Sequence, residues 1–244
     1  MENVSTKQKT KHSAFADYFK EIIYGGIDGI VTTFAVVAGF AGASLANDAT
    51  IQISFMIVLL FGLANLFADA ASMGLGNFLS VRSEKDLYHV KRAGEVGLIQ
   101  NQPESEAQQT IEIMTAKGFT NEQAQALTTI YQTNEDYWVD FMMQHDLELS
   151  DPRGENEVMT GLATFFSFMV FGAIPLLPFM LQTEGDPQTA FFFSAFGTLC
   201  ALITLGLLKW KVIGSKLGAS LFEVVAVGGT AAVLAYLVGT LFSL

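Results

Sequence analysis

Asn65, Asp69, Met73 and Asn77 recur every fourth residue inside an otherwise apolar run, and Asp28 stands in a second such run. Residues four apart lie one above another on a helix, so the four form one stripe of amide, carboxylate and thioether groups. Carboxylate and amide oxygens suit hard or borderline divalent cations. A thioether adds softness that favours a transition metal over Mg²⁺ or Ca²⁺. Asp28, close to Gly26 and Gly29, can join that donor set and also titrate, as coupling to protons requires. Glu223, near the start of the last apolar run, is a third acid in such surroundings. An ionisable side chain at the centre of a membrane helix costs about 2.5–3.5 kcal/mol on insertion scales, which makes each of these a functional candidate. The plainer alternatives are hydrogen bonds to neighbouring helices for Asp and Asn, ordinary packing for Met73, and a Glu223 that reaches the membrane surface.

The elements that carry these residues follow from composition. Of 244 residues, 51% are apolar or aromatic and only 15% are charged, with a mean hydropathy of +0.40. Soluble domains carry about 25% charged residues. Five stretches, approximately 22–45, 51–81, 158–181, 190–208 and 217–244, are long enough for the roughly 20 residues that cross a bilayer. The first is too long, and too interrupted by Asp28, to be a cleaved signal peptide. Turn signals at Asn47-Asp48 and Glu184-Gly185-Asp186-Pro187 separate spans. The expected fold is an all-α integral membrane protein of five transmembrane helices, with a three-helix cytoplasmic insert between helices two and three. The expected organisation is an N-terminal segment 1–21, helices one and two in 22–81, an acidic insert 82–157 and helices three to five in 158–244.

Charge distribution orients the chain. The 13 Lys and Arg residues fall before span one, in the insert, or between spans four and five, which the positive-inside rule puts in the cytoplasm. The C-terminus is then expected on the opposite side. The net charge of −11 excludes a nucleic-acid binder, which needs a cationic footprint. The single Cys200 excludes an intramolecular disulfide scaffold and a Cys-based zinc site.

The insert holds 15 of the 24 acids. Span two is expected to run on into it as a helix, a second helix to open at Pro103-Glu104 and end before Gly118, and a third to open at the capping-box pattern Thr120-Asn121-Glu122-Gln123. That third helix carries Ala124, Leu127, Ile130, Tyr131, Trp138, Phe141 and Met142 at helical spacing, up to the break at Asp151-Pro152-Arg153-Gly154. Most of its charge reads as a solvated face. Asp136, Asp140 and Met143 share a face and form a candidate cation site, whereas Met142 falls on the apolar stripe. His89 and His145 stand at no ligand spacing. Small-residue pairs (Gly25 with Gly29, Gly39 with Ala43, Gly228-Gly229 with Ala231-Ala232) permit close helix packing, within a subunit or in a dimer. Pro175 and Pro178 predict a kink in span three.

The run from Ile23 to Gly39, with Tyr24-Gly25-Gly26-Ile27-Asp28-Gly29 at its centre, resembles the first-helix signature of vacuolar iron transporter-like proteins. Ala68-Asp69-Ala70-Ala71-Ser72-Met73-Gly74 with Asn77-Phe78-Leu79-Ser80 resembles the second-helix motif, and Trp138-Val139-Asp140-Phe141-Met142-Met143, Pro175-Leu176-Leu177-Pro178 and Gly228-Gly229 match later landmarks in order. The resemblance covers nearly the whole chain. It implies a homodimer of five-helix subunits that exports Fe²⁺, and often Mn²⁺, from the cytoplasm in exchange for protons, with Asp28 and Met73 lining a path between subunits. It aligns Asn65 with a carboxylate of some members, so Asp69 would supply the missing charge. In the insert it implies cation binding by the Met142-Met143 pair, by Glu112, and by Asp146 in place of a glutamate. Gln109 stands where Glu112 would have a partner, and only Glu95 lies near the position of an earlier glutamate pair.

The expectation drawn from this is a proton-coupled divalent-metal exporter with a transport path of Asp28, Asn65, Asp69, Met73, Asn77 and Glu223. Its metal ligands would be Asp28, Asp69, Met73, Glu112, Asp140, Met143 and Asp146. Fe²⁺ or Mn²⁺ is substrate, with no permanently bound cofactor. A second copy, the lipid bilayer and protons are the other expected partners. The setting is a bacterial inner membrane or else a vacuole-like organelle. A membrane-anchored ferritin-like iron oxidase is the main rival, disfavoured by the lack of a Glu-x-x-His motif in the insert. A scaffold that recruits basic partners is the other.

Overall fold

Apolar runs in a chain this poor in charge satisfy their backbone internally as helices, since lipid offers no hydrogen-bond partners. The computed structural model describes residues 18–45, 55–181, 187–214 and 216–241, and every regular element among them is helical. The segment before Tyr18 and the turns at Asn47-Asp48 and Glu184-Gly185-Asp186 lie outside the described residues. The helices are α1 (Phe19–Leu45), α2 (Phe55–Asn101), α3 (Pro103–Ala116), α4 (Asn121–Tyr131), α5 (Glu135–His145), α6 (Glu157–Gly172), α7 (Leu177–Leu181), α8 (Pro187–Ile213) and α9 (Leu217–Leu241). Among the described residues, five helical segments are long and apolar enough to cross a membrane: α1, α2, α6 with α7, α8, and α9. The chain is an all-α membrane protein.

Contacts divide the chain into two compact units, one formed by the residues up to Phe78 together with Val158–Leu244, the other by Leu79–Glu157. In the membrane unit the third span bends where its prolines predict. α6 ends at Gly172, a 3-10 turn follows over Ile174–Leu176, and α7 resumes the span. Ser194 Oγ of α8 donates to the Pro175 carbonyl at 2.7 Å, so a neighbouring helix satisfies backbone at the bend.

The glycine pairs are used within the chain. A Cβ on Gly25 would stand 2.8 Å from the Thr164 carbonyl, and one on Gly29 2.5 Å from the Phe168 carbonyl, so α1 lies backbone-close on α6. α2 does the same on another face, where a Cβ on Gly161 would come within 2.7 Å of the Gly74 carbonyl. At the far end of α1, Gly39 and Gly42 meet Gly239 and Tyr236 of α9 at similarly close range.

In the second unit the helix that begins at Asn121 is shorter than its apolar periodicity predicts. It stops at Tyr131 and α5 starts anew at Glu135, because Asn134 caps the new helix by accepting from the Tyr137 N–H at 3.2 Å. The turn lets Tyr131 pack edge-on against Tyr137 and tilted against Phe141, with ring centres 5.0 and 5.1 Å apart. The predicted capping box is present, with Thr120 and Gln123 bonding each other's backbone N–H. Tyr88, Ile99, Trp138, Val139, Met142 and Met143 form the core of this unit.

Candidate functional site

α6 brings the two membrane acids together. Gly29 of α1 meets α6 at Phe168 and Gly172, and Leu66 of α2 meets it at the same Gly172. Asp28 and Asp69 sit beside those contacts on their own helices, so they reach the same level and the Asp69 charge acts on Asp28. Both are half-buried. Asn65, one turn from Asp69, donates Nδ2 to Asp69 Oδ2 at 2.7 Å, which turns the amide nitrogen toward the acid and leaves Asn65 Oδ1 free to accept or to ligate. Met73 is half-buried and packs against the core that holds Leu66, Ala70 and Phe168. Asn77 donates Nδ2 to Thr164 Oγ1 of α6 at 2.7 Å and so ties α2 to α6. An open apolar groove of about 720 Å³ lies alongside, lined by α1, α2 and α9, with Asn65 as its amide.

Glu223, next to the Val224 that packs with Ile27 and Ile30 of α1, is exposed and paired with Lys209 of α8. Its partner is the ammonium of Lys209, supplied by the adjacent helix.

In the insert the predicted ligands separate. Asp140 is held by Arg92 at 2.9 Å and Arg153 at 3.1 Å, and Asp136 by Arg92 at 3.0 Å. Two guanidiniums already neutralise Asp140, so a cation there would have to displace them. Glu112 is exposed and accepts from Gln108 at 3.1 Å. Asp146 accepts from Gln109 Nε2 at 2.5 Å and bears electrostatically on Glu95. Met142 and Met143 are both fully buried. It is Met142, the one that sequence places on the apolar stripe, whose sulfur meets a polar group, Thr110 Oγ1 at 3.3 Å.

Around Asp146 the structure assembles acids that the sequence left unconnected. Glu95 of α2 is 3% exposed and Glu106 of α3 is 6% exposed. Burial, then the charges of Glu106 and Asp146, then a carboxyl–carboxyl contact with Glu106 push the Glu95 carboxyl up to about 7. Glu95 Oε1 is buried with no hydrogen-bond partner. Glu95 and Glu106 thus touch carboxyl to carboxyl, with the Asp146 charge acting on Glu95. Glu106 escapes a reading based on charged faces, although it carries a signal. Glu106, Thr110 and Met114 are spaced by four and form the buried face of α3, so an acid stands where an apolar residue is due. No group of three or more His, Cys, Asp or Glu in ligating geometry occurs among the described residues.

Comparison with known proteins adds a separate line. A sequence profile of the VIT family matches residues 19–240. A vacuolar iron transporter of Toxoplasma gondii is 36% identical over 238 residues, which cover 94% of this chain and 76% of that one. Vacuolar iron transporter 1 of Arabidopsis thaliana is 32% identical over 93% of this chain and 86% of its own length. Vacuolar iron transporter 2 of rice is 30% identical over 93% and 88%.

Proposed function

The chain belongs to the VIT family, and from that premise we propose that it exports Fe²⁺ or Mn²⁺ from the cytoplasm across its membrane in exchange for protons. The observation that carries this reading is the convergence of Asp28 and Asp69 on one level of α6, with the Asn65 amide bonded to Asp69. Two acids held close repel when both are ionised, and either a proton or a divalent cation relieves that repulsion. Binding of the metal expels the proton, and protonation from the far side releases the metal. Asn65 and Met73 complete the donor set, with the thioether favouring a transition metal over Mg²⁺.

The working unit is a homodimer, in which a second copy covers the groove beside Asn65 and closes the path. The insert faces the cytoplasm, as its bases require. Its buried acids Glu95 and Glu106, with the half-buried Asp146 and with Met142, collect cations there. The insert's negative charge raises the local concentration of cations around it. The transported ion is the substrate, and no resident cofactor is needed. The setting is a bacterial inner membrane or a vacuole-like organelle.

The test is metal uptake into proteoliposomes carrying an internal pH dye, with Fe²⁺ and Mn²⁺ compared. Metal flux with opposing proton movement, abolished in Asp28→Asn, is the expected outcome. Wild-type flux in that variant, or metal flux without proton movement, overturns the reading.

A further inference from the structure

α1 and α8 pack antiparallel. A Cβ on Gly26 would stand 3.1 Å from Leu205 Cδ1, while Phe34, later in α1, stacks on Phe191, earlier in α8, with ring centres 6.0 Å apart. Lys20 lies six residues before Gly26 and Lys211 six after Leu205. Helices rise equally per residue, so the two lysines reach one level. α9 adds a third. Its Leu221 Cδ2 would lie 2.9 Å from a Cβ on Gly206, and its Gly228 meets Leu202, which makes α9 antiparallel to α8. Lys216 lies five residues before Leu221, as Lys211 lies five after Gly206. Three helices thus bring one lysine each to the same edge of the membrane unit.

The chain leaves these charges unmatched. Lys20, Lys211 and Lys216 are exposed, and among the described residues none of them forms a salt bridge. Lys209, slightly further in, is taken up by Glu223. The sequence ahead of α1 adds Lys7, Lys9 and Lys11. The segments that border the other edge of these helices, 46–54, 182–186 and 242–244, hold no Lys or Arg and carry Asp48, Glu184 and Asp186.

The surroundings of the three lysines are those of a lipid headgroup. Tyr24, one turn inward from Lys20, is 62% exposed, and Trp210, beside Lys211, is 42% exposed. Rings with an apolar body and a polar tip settle where hydrocarbon gives way to headgroups. Ile213 and Leu217, on either side of the turn that carries Lys216, are exposed as well. A free anion in water makes no use of such apolar groups, whereas acyl chains cover them. The lysine stems are themselves apolar and let each ammonium reach the level of the phosphates.

We propose that Lys20, Lys211 and Lys216 form a docking surface that selects anionic phospholipid, such as phosphatidylglycerol, over zwitterionic lipid at this edge of α1, α8 and α9. A zwitterionic headgroup brings its own ammonium, which cancels the field of its phosphate. An anionic headgroup brings the phosphate uncompensated. Each lysine near an anionic surface favours it about fivefold, and the bare opposite edge confines the preference to one leaflet.

Trp210 is the reporter for the test. The full-length protein is reconstituted into phosphatidylcholine vesicles containing phosphatidylglycerol, with bromine on the chains of one lipid or the other to quench tryptophan on contact. Trp210→Phe gives the background from the buried Trp138. At equal bromine content, brominated phosphatidylglycerol should quench Trp210 severalfold more than brominated phosphatidylcholine. Lys211→Gln should reduce that excess, high salt should weaken it, and the triple variant Lys20→Gln, Lys211→Gln, Lys216→Gln should abolish it. The three side chains are exposed, so the variants should melt as the wild type does; if the triple variant melts early, Lys211→Gln decides. Equal quenching by the two lipids overturns the proposal, as does an excess that survives the lysine substitutions. An excess that inorganic phosphate removes at constant ionic strength overturns it in favour of a site for free phosphate.

Discussion

Gly29 of α1 and Gly172 of α6 meet backbone to backbone, so that a Cβ on Gly172 would stand 2.8 Å from the Gly29 carbonyl. The same Gly172 faces Leu66 of α2. One small residue on the third membrane helix thus sets the level at which the other two helices carry their acids, and the Asp28–Asp69 encounter depends on it.

That dependence is measurable. Gly29→Ala places a methyl against the Phe168 backbone, which cannot turn aside as a side chain would. A loss of about 1–3 kcal/mol is expected, the cost of overpacking a filled site, together with slower transport as α1 shifts. Gly229→Ala is the control, since a Cβ there meets nothing within 4 Å of the chain. Thermal unfolding in detergent should drop for the first variant and hold for the second.

Asn65 offers a finer probe of the membrane site. Asn65→Leu removes the amide that bonds Asp69 at 2.7 Å and should slow metal uptake severalfold, since a hydrogen bond to a charged group is worth about 1.5–3 kcal/mol. The effect should be smaller than that of Asp28→Asn, because both carboxylates remain. Proteoliposome initial rates compare the two directly.

The insert should be less stable at alkaline pH when free of metal. The folded-state Glu95 carboxyl is raised to about 7 from an ordinary 4.5, so the folded state holds a proton that the unfolded chain releases. Stability is therefore greatest below about 4.5, declines as pH rises, and levels off above about 7, with a total loss of at most about 3 kcal/mol. Melting the metal-free protein at pH 5.5 and pH 8 should show the difference. Glu95→Gln should flatten it, and Mn²⁺ should restore stability to the wild type at pH 8.

Asp140 gives the opposite expectation. It lies between Arg92 and Arg153, whose charge-assisted bonds it accepts. Asp140→Asn should cost about 1 kcal/mol, the scale of a partly exposed ion pair, and the loss should shrink in high salt. Metal affinity of the insert should be unchanged. A large drop in metal binding with stability intact would make Asp140 a ligand after all.

Much of this molecule is legible along the chain. Five membrane helices follow from the lengths of the apolar runs, the kink from Pro175 and Pro178, and the start of α4 from Thr120 and Gln123, because each is decided by residues within a few positions of one another. The stripe of Asn65, Asp69, Met73 and Asn77 is likewise a consequence of helical period alone. The break at Asn134 is also local, and a stronger apolar rhythm across it hides the signal.

What the chain alone does not determine is which groups become partners. Asp140 finds Arg92, 48 residues away, and Glu223 finds Lys209, so two acids that look free are neutralised by bases on other helices. Glu95 and Glu106 come from different helices and meet carboxyl to carboxyl in the interior, within range of the Asp146 charge, and the Met142 sulfur meets the Thr110 hydroxyl. Asp28 and Asp69 gain their level from glycines on α6. Helical period says which face a side chain occupies, and only the packing of one helix on another decides what that face meets.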